Sequence, residues 1–385
     1  MNKKEVRKAP VLRFKGFTND WEQHTLGDFG SVAMNKRIFK NQTTDKGDVP
    51  FFKISTFGKK ADSFISNNLF EKYKEKYPYP QKGDLLISAS GSIGRIVEYK
   101  GQKAYYQDSN IVWLNHNKEL LNIYLKAYYQ VIHWHGIEGS TIKRLYNKNI
   151  LATSIFVPDK KEQYELGKLI KKAEKIISLQ QRKLKLLKVM KKALSQYMFC
   201  QEIEFVPILR FNSFSDKWKY ERLKNLIVKE IKGKAKADMK GTKSTYIDTA
   251  LLNGGSITKV DSPTDTFHND IIILWDGSQA GKIYHGFTGA LGSTLKSYKP
   301  KYSGGFLYQY LKSKEPIIFL RYRTPNIPHV VKDFTEIFKI NVPSVKEQEK
   351  ISKILNYLDQ SILVETKKIG SIKKIKKFLL QNMFI

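Results

Sequence analysis

Several stretches of the chain carry residue types that could do chemistry, but their spacing departs from what the chemistry needs. Residues 277–282 resemble a phosphate-binding loop, yet only three residues separate the first glycine from Gly-Lys, and Ile283 follows where Ser or Thr would bind magnesium. His133 and His135 lie two positions apart without an adjacent carboxylate. That pattern is more typical of buried or interfacial histidines than of a metal site. We therefore predict neither a phosphate-binding loop nor a metal site.

Motifs for chemistry on nucleic acid are also missing. An adenine methyltransferase holds the flipped base with an Asn/Asp-Pro-Pro-Tyr/Phe loop, and the sequence contains no Pro-Pro pair. A nuclease that used Asp159 would need a nearby acidic-x-Lys partner, but Glu230 and Lys232 lie in the other half of the chain. The sequence offers no His-Glu-x-x-His motif and no convincing Ser/His/Asp array. We therefore expect no catalytic residues in this chain.

The charge of the chain indicates a polyanionic partner. Lys and Arg number 68 against 36 Asp and Glu, a formal net charge of +32. In a compact fold, so many positive charges repel one another, and such an excess is normally compensated by a polyanion. A merely solubilising cationic surface is the alternative. The 385 residues, 41% of them hydrophobic, are enough for two or three domains with their own cores.

The sequence also bears on the cellular compartment. Cys200 is the single cysteine, which excludes disulfides and thiolate zinc sites within one chain. No apolar run approaches the eighteen residues that a membrane span requires, and no signal peptide or lipidation motif is recognisable. We expect a cytoplasmic protein that does not associate with a membrane.

Three pairs of matching segments show that the chain contains an internal repeat. They share Pro-x-Leu-Arg-Phe-x-x-Phe-x-x-x-Trp, an Asp-aliphatic run followed by Gly-Ser, and Val-Pro followed by Lys-Glu-Gln. The pairs are residues 10–21 and 207–218, residues 83–92 and 269–278, and residues 157–163 and 342–348. The offset between copies is 197 residues at the first pair and 185 at the last, so the copies differ in length by 12 residues before the last pair. Copies that differ in length and sequence indicate that the two halves share a scaffold but have different functions.

Each copy ends in a long helix with heptad-like spacing. Both helices run 41 residues from a proline to a phenylalanine, on the order of 60 Å at about 1.5 Å per residue. Apolar residues step by three and four, as in the seam of a coiled coil. The seam residues are Leu166, Leu169, Ile176, Leu184, Leu187 and Leu194 in the first helix, and Ile351, Ile354, Leu358, Ile369, Ile372 and Leu379 in the second. Gln180 and Glu365 interrupt both seams at the equivalent position, where a polar residue could set the register.

The two apolar stripes are buried most economically against each other, which favours an antiparallel helix pair. Two unrelated helices, each packed on its own domain, are the alternative. Gly370 weakens the prediction that the second helix is uninterrupted, because glycine costs about 1 kcal/mol relative to alanine in a helix.

The rest of each copy is predicted to be a mixed, β-rich head. Short β-branched or aromatic stretches bounded by Gly, Asn, Asp or Ser predict strands. Examples are residues 84–88, 94–99, 111–114 and 270–275. A helix is expected around 120–133. The fold class is therefore α+β, with two β-rich domains separated by two long antiparallel coiled-coil helices in pseudo-two-fold symmetry. The predicted segments are a first head (1–158), a central helix (159–200), a second head (201–343) and a C-terminal helix (344–385).

In this order and in duplicate, the motifs resemble the specificity subunit of type I restriction-modification enzymes. The resemblance covers nearly the whole chain. It includes Gly-Asp-Leu-Leu-Ile with Gly-Ser-Ile-Gly at 83–94 and the Gly-Ser-Thr-Ile-Lys-Arg-Leu turn at 139–145. It implies that the heads are target-recognition domains, each reading one half of a split sequence in double-stranded DNA. It further implies that the helices set the spacing and dock two methyltransferase subunits.

The resemblance also implies that this chain holds no active site and no cofactor. S-adenosylmethionine would be bound by the partner methyltransferase, which methylates adenine. ATP and magnesium would be bound by motor-nuclease subunits, which cut unmodified DNA in the full complex.

Base reading would then come from polar loops of the heads, where side chains reach base edges and cations neutralise phosphates. The candidates in the first head are Lys36, Arg37, Ser88, Ser90, Ser92, Arg95, Gln107, Ser109, Asn110, Ser140, Thr141, Lys143 and Arg144. Those in the second head are Lys232, Lys234, Lys236, Lys243, Thr245, Tyr246, Ser278, Gln279, Lys282, Ser293, Thr294, Lys296, Arg321, Arg323, Thr324 and Asn326. The second head has Ile-Pro-His-Val at 327–330 in place of Ile-Lys-Arg-Leu, which argues against a contact shared by Arg144 and His329.

Three other functions stay open on sequence grounds. The chain could be the recognition subunit of a related DNA-modification or phage-defence system. It could be a nuclease with an unrecognised site, or a coiled-coil adaptor whose charge is incidental.

Overall fold

The fold is taken from a computed structural model, which describes residues 9–136, 144–200, 204–325 and 328–385. It divides into two compact units. The first unit comprises Met1–Gln180 with Ile369–Ile385, and the second comprises Gln181–Lys368. Each unit therefore contains one head and parts of both long helices. Within the described ranges, no helix is long and apolar enough to cross a membrane.

The first repeat contains nine strands and four α-helices within its described residues. They are β1 (Glu22–Thr25), β2 (Gly30–Ala33), β3 (Val49–Phe52), β4 (Ser63–Ile65), α1 (Asn67–Lys76), β5 (Leu85–Ser88), β6 (Ile96–Glu98), β7 (Tyr105–Tyr106), β8 (Ile111–His116), α2 (Asn122–Tyr128), α3 (Asn147–Leu151), β9 (Ser154–Val157) and α4 (Lys160–Tyr197).

The second repeat contains nine further strands and five α-helices within the residues that the structure describes. They are β10 (Lys219–Arg222), β11 (Ile227–Lys232), β12 (Lys240–Ile247), α5 (Thr249–Leu252), β13 (Lys259–Val260), β14 (Ile271–Leu274), β15 (Ile283–His285), β16 (Ala290–Leu291), β17 (Leu295–Pro300), α6 (Gly304–Ser313), α7 (Glu315–Arg321), α8 (Phe334–Ile337), β18 (Lys339–Val342) and α9 (Val345–Asn382). The α+β class and the two long helices are confirmed.

The two heads have the same sheet topology. A four-stranded sheet has the order β2-β8-β5-β6 in the first head and β11-β17-β14-β15 in the second. A three-stranded sheet has the order β4-β3-β7 or β13-β12-β16, with its last pair parallel in both heads. A two-stranded sheet, β1-β9 or β10-β18, completes each head. The repeat recognised in three short motifs therefore extends through the whole head.

The strands β5 and β14 explain why this topology survives sequence divergence. Each lies between two neighbours in its sheet, and residues 85–87 and 271–273 are buried on both faces. A strand covered on both faces favours apolar side chains, which is why this aliphatic run is one of the parts of the head that both copies keep.

A buried ion pair joins the opening motif of each repeat to the start of its long helix. Arg13 donates from Nε and Nη2 to the two carboxylate oxygens of Glu162, both at 2.7 Å. Arg210 makes the same bidentate contact with Glu347 at 2.8 Å. Both carboxylates are buried. The Leu-Arg-Phe and Glu-Gln motifs are therefore two sides of one junction, because guanidinium and carboxylate match in planar geometry.

The same opening motif contacts the end of the other long helix. In the first unit, the N–H of Leu12 donates to the carbonyl of Asn382 at the end of α9 (2.8 Å). In the second unit, the N–H of Leu209 donates to the carbonyl of Tyr197 at the end of α4 (2.8 Å). The last carbonyls of a helix have no partner within the helix, so these contacts satisfy exposed acceptors. Each opening motif thus connects the start of one long helix with the end of the other.

The long helices run antiparallel. In the second unit Lys183 pairs with Glu365 and Lys191 pairs with Asp359, so residue numbers rise along α4 as they fall along α9. In the first unit, Glu174 pairs with Lys376 at 2.8 Å. The predicted antiparallel arrangement is confirmed. The second helix is also continuous through Gly370.

Most predicted seam residues are buried or half-buried, with one exception. Ile176 is 38% exposed, whereas its neighbour Ile177 is half-buried. The seam thus shifts by one residue before Gln180, as expected when an α-helix of 3.6 residues per turn drifts from a repeat of 3.5. The heptad pattern also missed Ile170 and Leu355, which are buried because they pack into the hydrophobic core of a head. The remaining seam residues that are buried or half-buried are Leu166, Leu169, Leu184, Leu187, Leu194, Ile351, Ile354, Leu358, Ile369, Ile372 and Leu379.

A glycine permits each head to pack closely on its long helix. In the first unit, a Cβ added to Gly167 of α4 would lie 2.5 Å from the carbonyl oxygen of Ile123. In the second unit, the equivalent helix position is Ser352, and the glycine is on the head instead, at Gly305. A Cβ there would lie 3.2 Å from the Cβ of Ser352. In both units, the contact between the head and its long helix is therefore close enough to call for one glycine, which lies on the helix in the first unit and on the head in the second.

We predict that Glu347→Gln lowers the free energy of unfolding by about 3 kcal/mol, because the buried Arg210 guanidinium loses its counter-charge. The midpoint of urea unfolding measures the change. Glu349→Gln, at an exposed position two residues away, should leave the midpoint unchanged. Equal midpoints for the two variants would contradict the structural role of the pair.

We predict opposite effects for two glycine-to-alanine substitutions in the long helices. Gly167→Ala should destabilise the protein by about 1 to 3 kcal/mol, because the added methyl group overlaps the backbone at Ile123. Gly370→Ala should stabilise it by up to about 1 kcal/mol, because a Cβ there meets nothing within 4 Å and alanine favours the helix. Thermal unfolding of both variants tests the pair, and a stabilising Gly167→Ala would refute the close packing.

Candidate nucleic-acid interface

In the first head, three of the predicted loops meet at the end of β5. The N–H of Ala89 donates to the carbonyl of Asn110 (2.8 Å), and the N–H of Leu145 donates to the carbonyl of Ala89 (2.9 Å). Ser90 and Arg144 form an isolated antiparallel bridge. Segments distant in sequence thus form one surface, which we call the first loop surface (34–37, 88–95, 107–110 and 144–148).

The fourth predicted segment lies at the same place. Nε of Arg37 is 3.8 Å from a carboxylate oxygen of Asp108, and the Ser109 hydroxyl is 3.9 Å from the sulfur of Met34. Ser109 has a left-handed backbone (φ 60°) and is exposed. Met34, Ser109 and Arg144 line an open cleft with Tyr146 and Lys148.

Some candidates in this surface hold the loops together rather than face solvent. The buried Ser88 hydroxyl donates to the carbonyl of Ser92 and accepts from the N–H of Arg95 (2.8 Å). The buried Ser90 donates to Oδ1 of Asn110 (2.7 Å). Gln107 accepts from the N–H of Ile54 (2.9 Å), and the Arg95 guanidinium donates to the carbonyl of Phe57 (2.9 Å). The exposed candidates are Lys36, Arg37, Ser92, Ser109 and Arg144. Ser140, Thr141 and Lys143 lie outside the described residues.

The second head repeats this backbone frame. The N–H of Trp275 donates to the carbonyl of Thr294 (2.9 Å), and the N–H of Val330 donates to the carbonyl of Trp275 (3.0 Å). Asp276 and His329 form the bridge that corresponds to Ser90 and Arg144. Arg144 and His329 therefore occupy equivalent backbone positions, although the sequences of their turns differ. Their side chains differ, and Nδ1 of His329 lies 3.0 Å from the Thr324 hydroxyl.

Two cationic candidates of the second head contact aromatic rings. Nζ of Lys296 lies 3.4 Å from the ring centroid of Trp275, and burial lowers the pKa of Lys296. Arg323 lies over Phe319 at 5.3 Å and donates to the carbonyl of Ser278 (3.2 Å). A cation over a ring face is attracted by the ring quadrupole, so these two side chains are held in place.

The remaining candidates of the second head lie mostly at its surface. Burial raises the pKa of Tyr246, which is half-buried. Thr245, Lys282 and Thr324 are also half-buried, and Asn326 lies outside the described residues. The exposed candidates are Lys232, Lys234, Lys236, Lys243, Ser278, Gln279, Ser293, Thr294 and Arg321.

The sequence did not indicate two exposed side chains at these surfaces. Phe39 is 56% exposed, and the Arg37 guanidinium lies 6.0 Å from its ring centroid. The sequence signal that could have indicated Phe39 is its position between two cationic residues, Arg37 and Lys40. Asp276 is exposed at the bridge of the second head. Its equivalence to Ser90 could have been obtained by extending the repeat alignment.

The arrangement suits recognition of a polyanion with hydrogen-bonding edges. Exposed lysines and arginines can neutralise phosphates, and the exposed bridge side chains, Arg144 and Asp276, can donate to or accept from base edges. The backbone that carries them is held by hydrogen bonds between loops, so their positions are set before a ligand binds.

Comparisons with known proteins show the family and the fold of the chain. The family described as the type I restriction modification DNA specificity domain matches residues 18–189 and 215–374. A crystal structure of the S subunit of a type I restriction-modification system from M. genitalium has a TM-score of 0.70 at 17% identity. The alignment covers 98% of this chain and 99% of that chain, which shows the same fold.

Curated relatives match part of the chain. A protein of Haemophilus influenzae, named as a type I restriction enzyme specificity subunit, is 54% identical over 150 residues, 39% of each chain. The specificity subunit of type I restriction enzyme MjaVIII from Methanocaldococcus jannaschii is 34% identical over 178 residues, 43% of this chain and 42% of the relative. The matched region thus spans less than half the length of these relatives. Because the family match covers both heads and most of both long helices, the chain belongs to the family of type I restriction modification DNA specificity domains.

Proposed function

We propose that this chain is the DNA-recognition subunit of a type I restriction-modification complex, in which each head reads one half of an asymmetric, bipartite target. One observation carries the proposal: the heads share a backbone frame but present different side chains at the same bridge. Ser90 and Arg144 occupy it in the first head, and Asp276 and His329 occupy it in the second. Different hydrogen-bonding groups on one frame are suited to different base pairs.

The charge of the chain supports DNA as the ligand. The excess of +32 is compensated when phosphates bind, and release of counterions drives such binding. In the first head, the exposed Arg37 lies 3.8 Å from Asp108, in the loop whose Asn110 is bonded to Ala89 beside the bridge. In the second head, the N–H of Ser293 donates to the carbonyl of Ala235 (3.2 Å), so the exposed Lys234 and Lys236 lie near the loop that is bonded to Asp276. Cations that position the duplex thus accompany groups that can read it.

The long helices support the docking of partner subunits. In the second unit, Leu186 and Val189 of α4 are 60% and 58% exposed, and Val364 of α9 is 58% exposed. Exposed apolar residues grouped on a surface are typical of protein interfaces. We assign these faces to two methyltransferase subunits, with the helices as the spacer that sets the distance between half-sites. Two half-sites about one helical turn apart would be on the order of 34 Å apart.

In this proposal the chain itself is not catalytic and binds no cofactor. The methyltransferase subunits bind S-adenosylmethionine and methylate adenine. Motor-nuclease subunits bind ATP and magnesium, and the complex acts in the cytoplasm.

The division of labour between heads predicts the outcome of a head exchange. Residues 219–342 can be replaced by the corresponding segment of another family member, which leaves the Arg210–Glu347 junction intact. We expect co-expression with a cognate methyltransferase, followed by genome-wide mapping of methyladenine, to show one changed half-site and one unchanged half-site. A change in both half-sites would refute independent reading by the heads.

The absence of catalysis predicts that the purified chain with Mg²⁺ neither cuts nor nicks supercoiled plasmid. Gel electrophoresis of the plasmid measures this, and the complete complex with ATP is the positive control. Nicking that co-purifies with the chain through successive columns would favour the alternative that it is a nuclease.

A further inference from the structure

We infer that Asp276 determines specificity in the second head by accepting a hydrogen bond from the exocyclic amino group of a cytosine in the major groove. This inference rests on the proposed function. It adds the residue that acts at one base pair and the chemistry that it selects.

The backbone of Asp276 is held on both sides. Its N–H donates to the carbonyl of Thr294 (3.2 Å), and the N–H of Gly277 donates to the carbonyl of Pro328 (2.9 Å). The preceding residue, Trp275, is buried beneath Nζ of Lys296 and bonded to Val330. The carboxylate is therefore presented from a fixed position, as base recognition requires.

The side chain of Asp276 projects from this fixed backbone into solvent. In an antiparallel bridge, the two paired side chains stand on the same face, so Asp276 lies beside His329. Asp276 is exposed, and among the described residues its carboxylate makes no direct hydrogen bond or ion pair, although its charge acts on Nζ of Lys296. It is therefore available to a ligand.

A carboxylate at this position opposes phosphate binding. The charge of Asp276 acts on Nζ of Lys296, and the exposed Lys234 and Lys236 flank Ala235, which is bonded to Ser293 in the adjoining loop. A negative charge among these cations weakens attraction to the DNA backbone. Its role is therefore to meet a hydrogen-bond donor. Cytosine offers only a donor, N4, on its major-groove edge. Guanine and thymine offer acceptors, which repel a carboxylate. Adenine places the acceptor N7 beside its N6 donor, so it suits a carboxylate less well than cytosine does.

The first head presents the opposite chemistry at the equivalent bridge. Ser90 is buried and bonded to Asn110, which leaves the exposed guanidinium of Arg144 as the outward group. Arginine has donors only, whereas aspartate has acceptors only. The equivalent bridges thus present an outward donor in one head and an outward acceptor in the other, from opposite sides of the bridge, which makes the two recognition surfaces unequal.

The test is Asp276→Asn in the full chain, co-expressed with the methyltransferase, with the methylated motif mapped genome-wide. The amide keeps the shape and adds donors, so it can bond to N6 and N7 of adenine. We expect one G·C pair, in the half-site that the second-head exchange alters, to become degenerate or to change to A·T. Discrimination at that pair should change by about tenfold or more. Every other position should stay as it is in the wild type.

Asp333→Asn is the matched control, because it removes one exposed carboxylate from the same head, at the start of α8 and not in the bridge. It should leave the motif unchanged. An unchanged motif in Asp276→Asn, or a changed pair that is A·T in the wild type, overturns the inference while the proposed function stands. If the wild-type chain directs no methylation to any bipartite motif, the proposed function itself fails.

Discussion

The buried Arg–Glu pairs are the interactions on which the rest of the molecule depends. Arg13 and Glu162, like Arg210 and Glu347, make two parallel hydrogen bonds where solvent is excluded. A desolvated pair adds little net stability, but losing either partner leaves an uncompensated charge in the interior. The pair therefore specifies geometry. It sets the opening motif against the start of one long helix and, through the adjacent leucine N–H, against the end of the other.

From these junctions outward, the two heads share what is buried and differ in what is exposed. Trp21 packs edge-on against Tyr124 at 6.2 Å, and Trp218 packs in the same way against Phe306 at 6.1 Å. The enclosed strands β5 and β14 both keep a run of three buried aliphatic residues, 85–87 and 271–273. At the loop ends, where packing imposes little, the bridging residues differ in charge and in hydrogen-bonding type. A duplicated frame can thus hold two different recognition surfaces without a change in its core.

Prediction from the sequence was reliable where one physical pattern dominates. Heptad spacing located both long helices, because a stripe of apolar residues must be buried. The same rule missed Leu355, since its partners come from a head distant in sequence. Among the site candidates, polar type alone did not distinguish Ser88, whose hydroxyl braces a loop, from Arg144, which faces solvent. Hydrogen-bonding capacity is a property of the side chain, but whether it is already used depends on neighbours brought in by folding.

The sequence by itself determined the duplication, the α+β class, the long helices and the cationic character, because repeats, periodicity and charge are local or additive properties. Only the tertiary structure decided that the two repeated motifs of each half are partners in one ion pair. It also decided that one seam shifts at Ile176, and that His329 occupies the backbone position of Arg144. These facts depend on contacts between residues far apart in the chain. Such contacts follow from the closure of the sheets and helices around a shared core, which no short stretch of sequence contains.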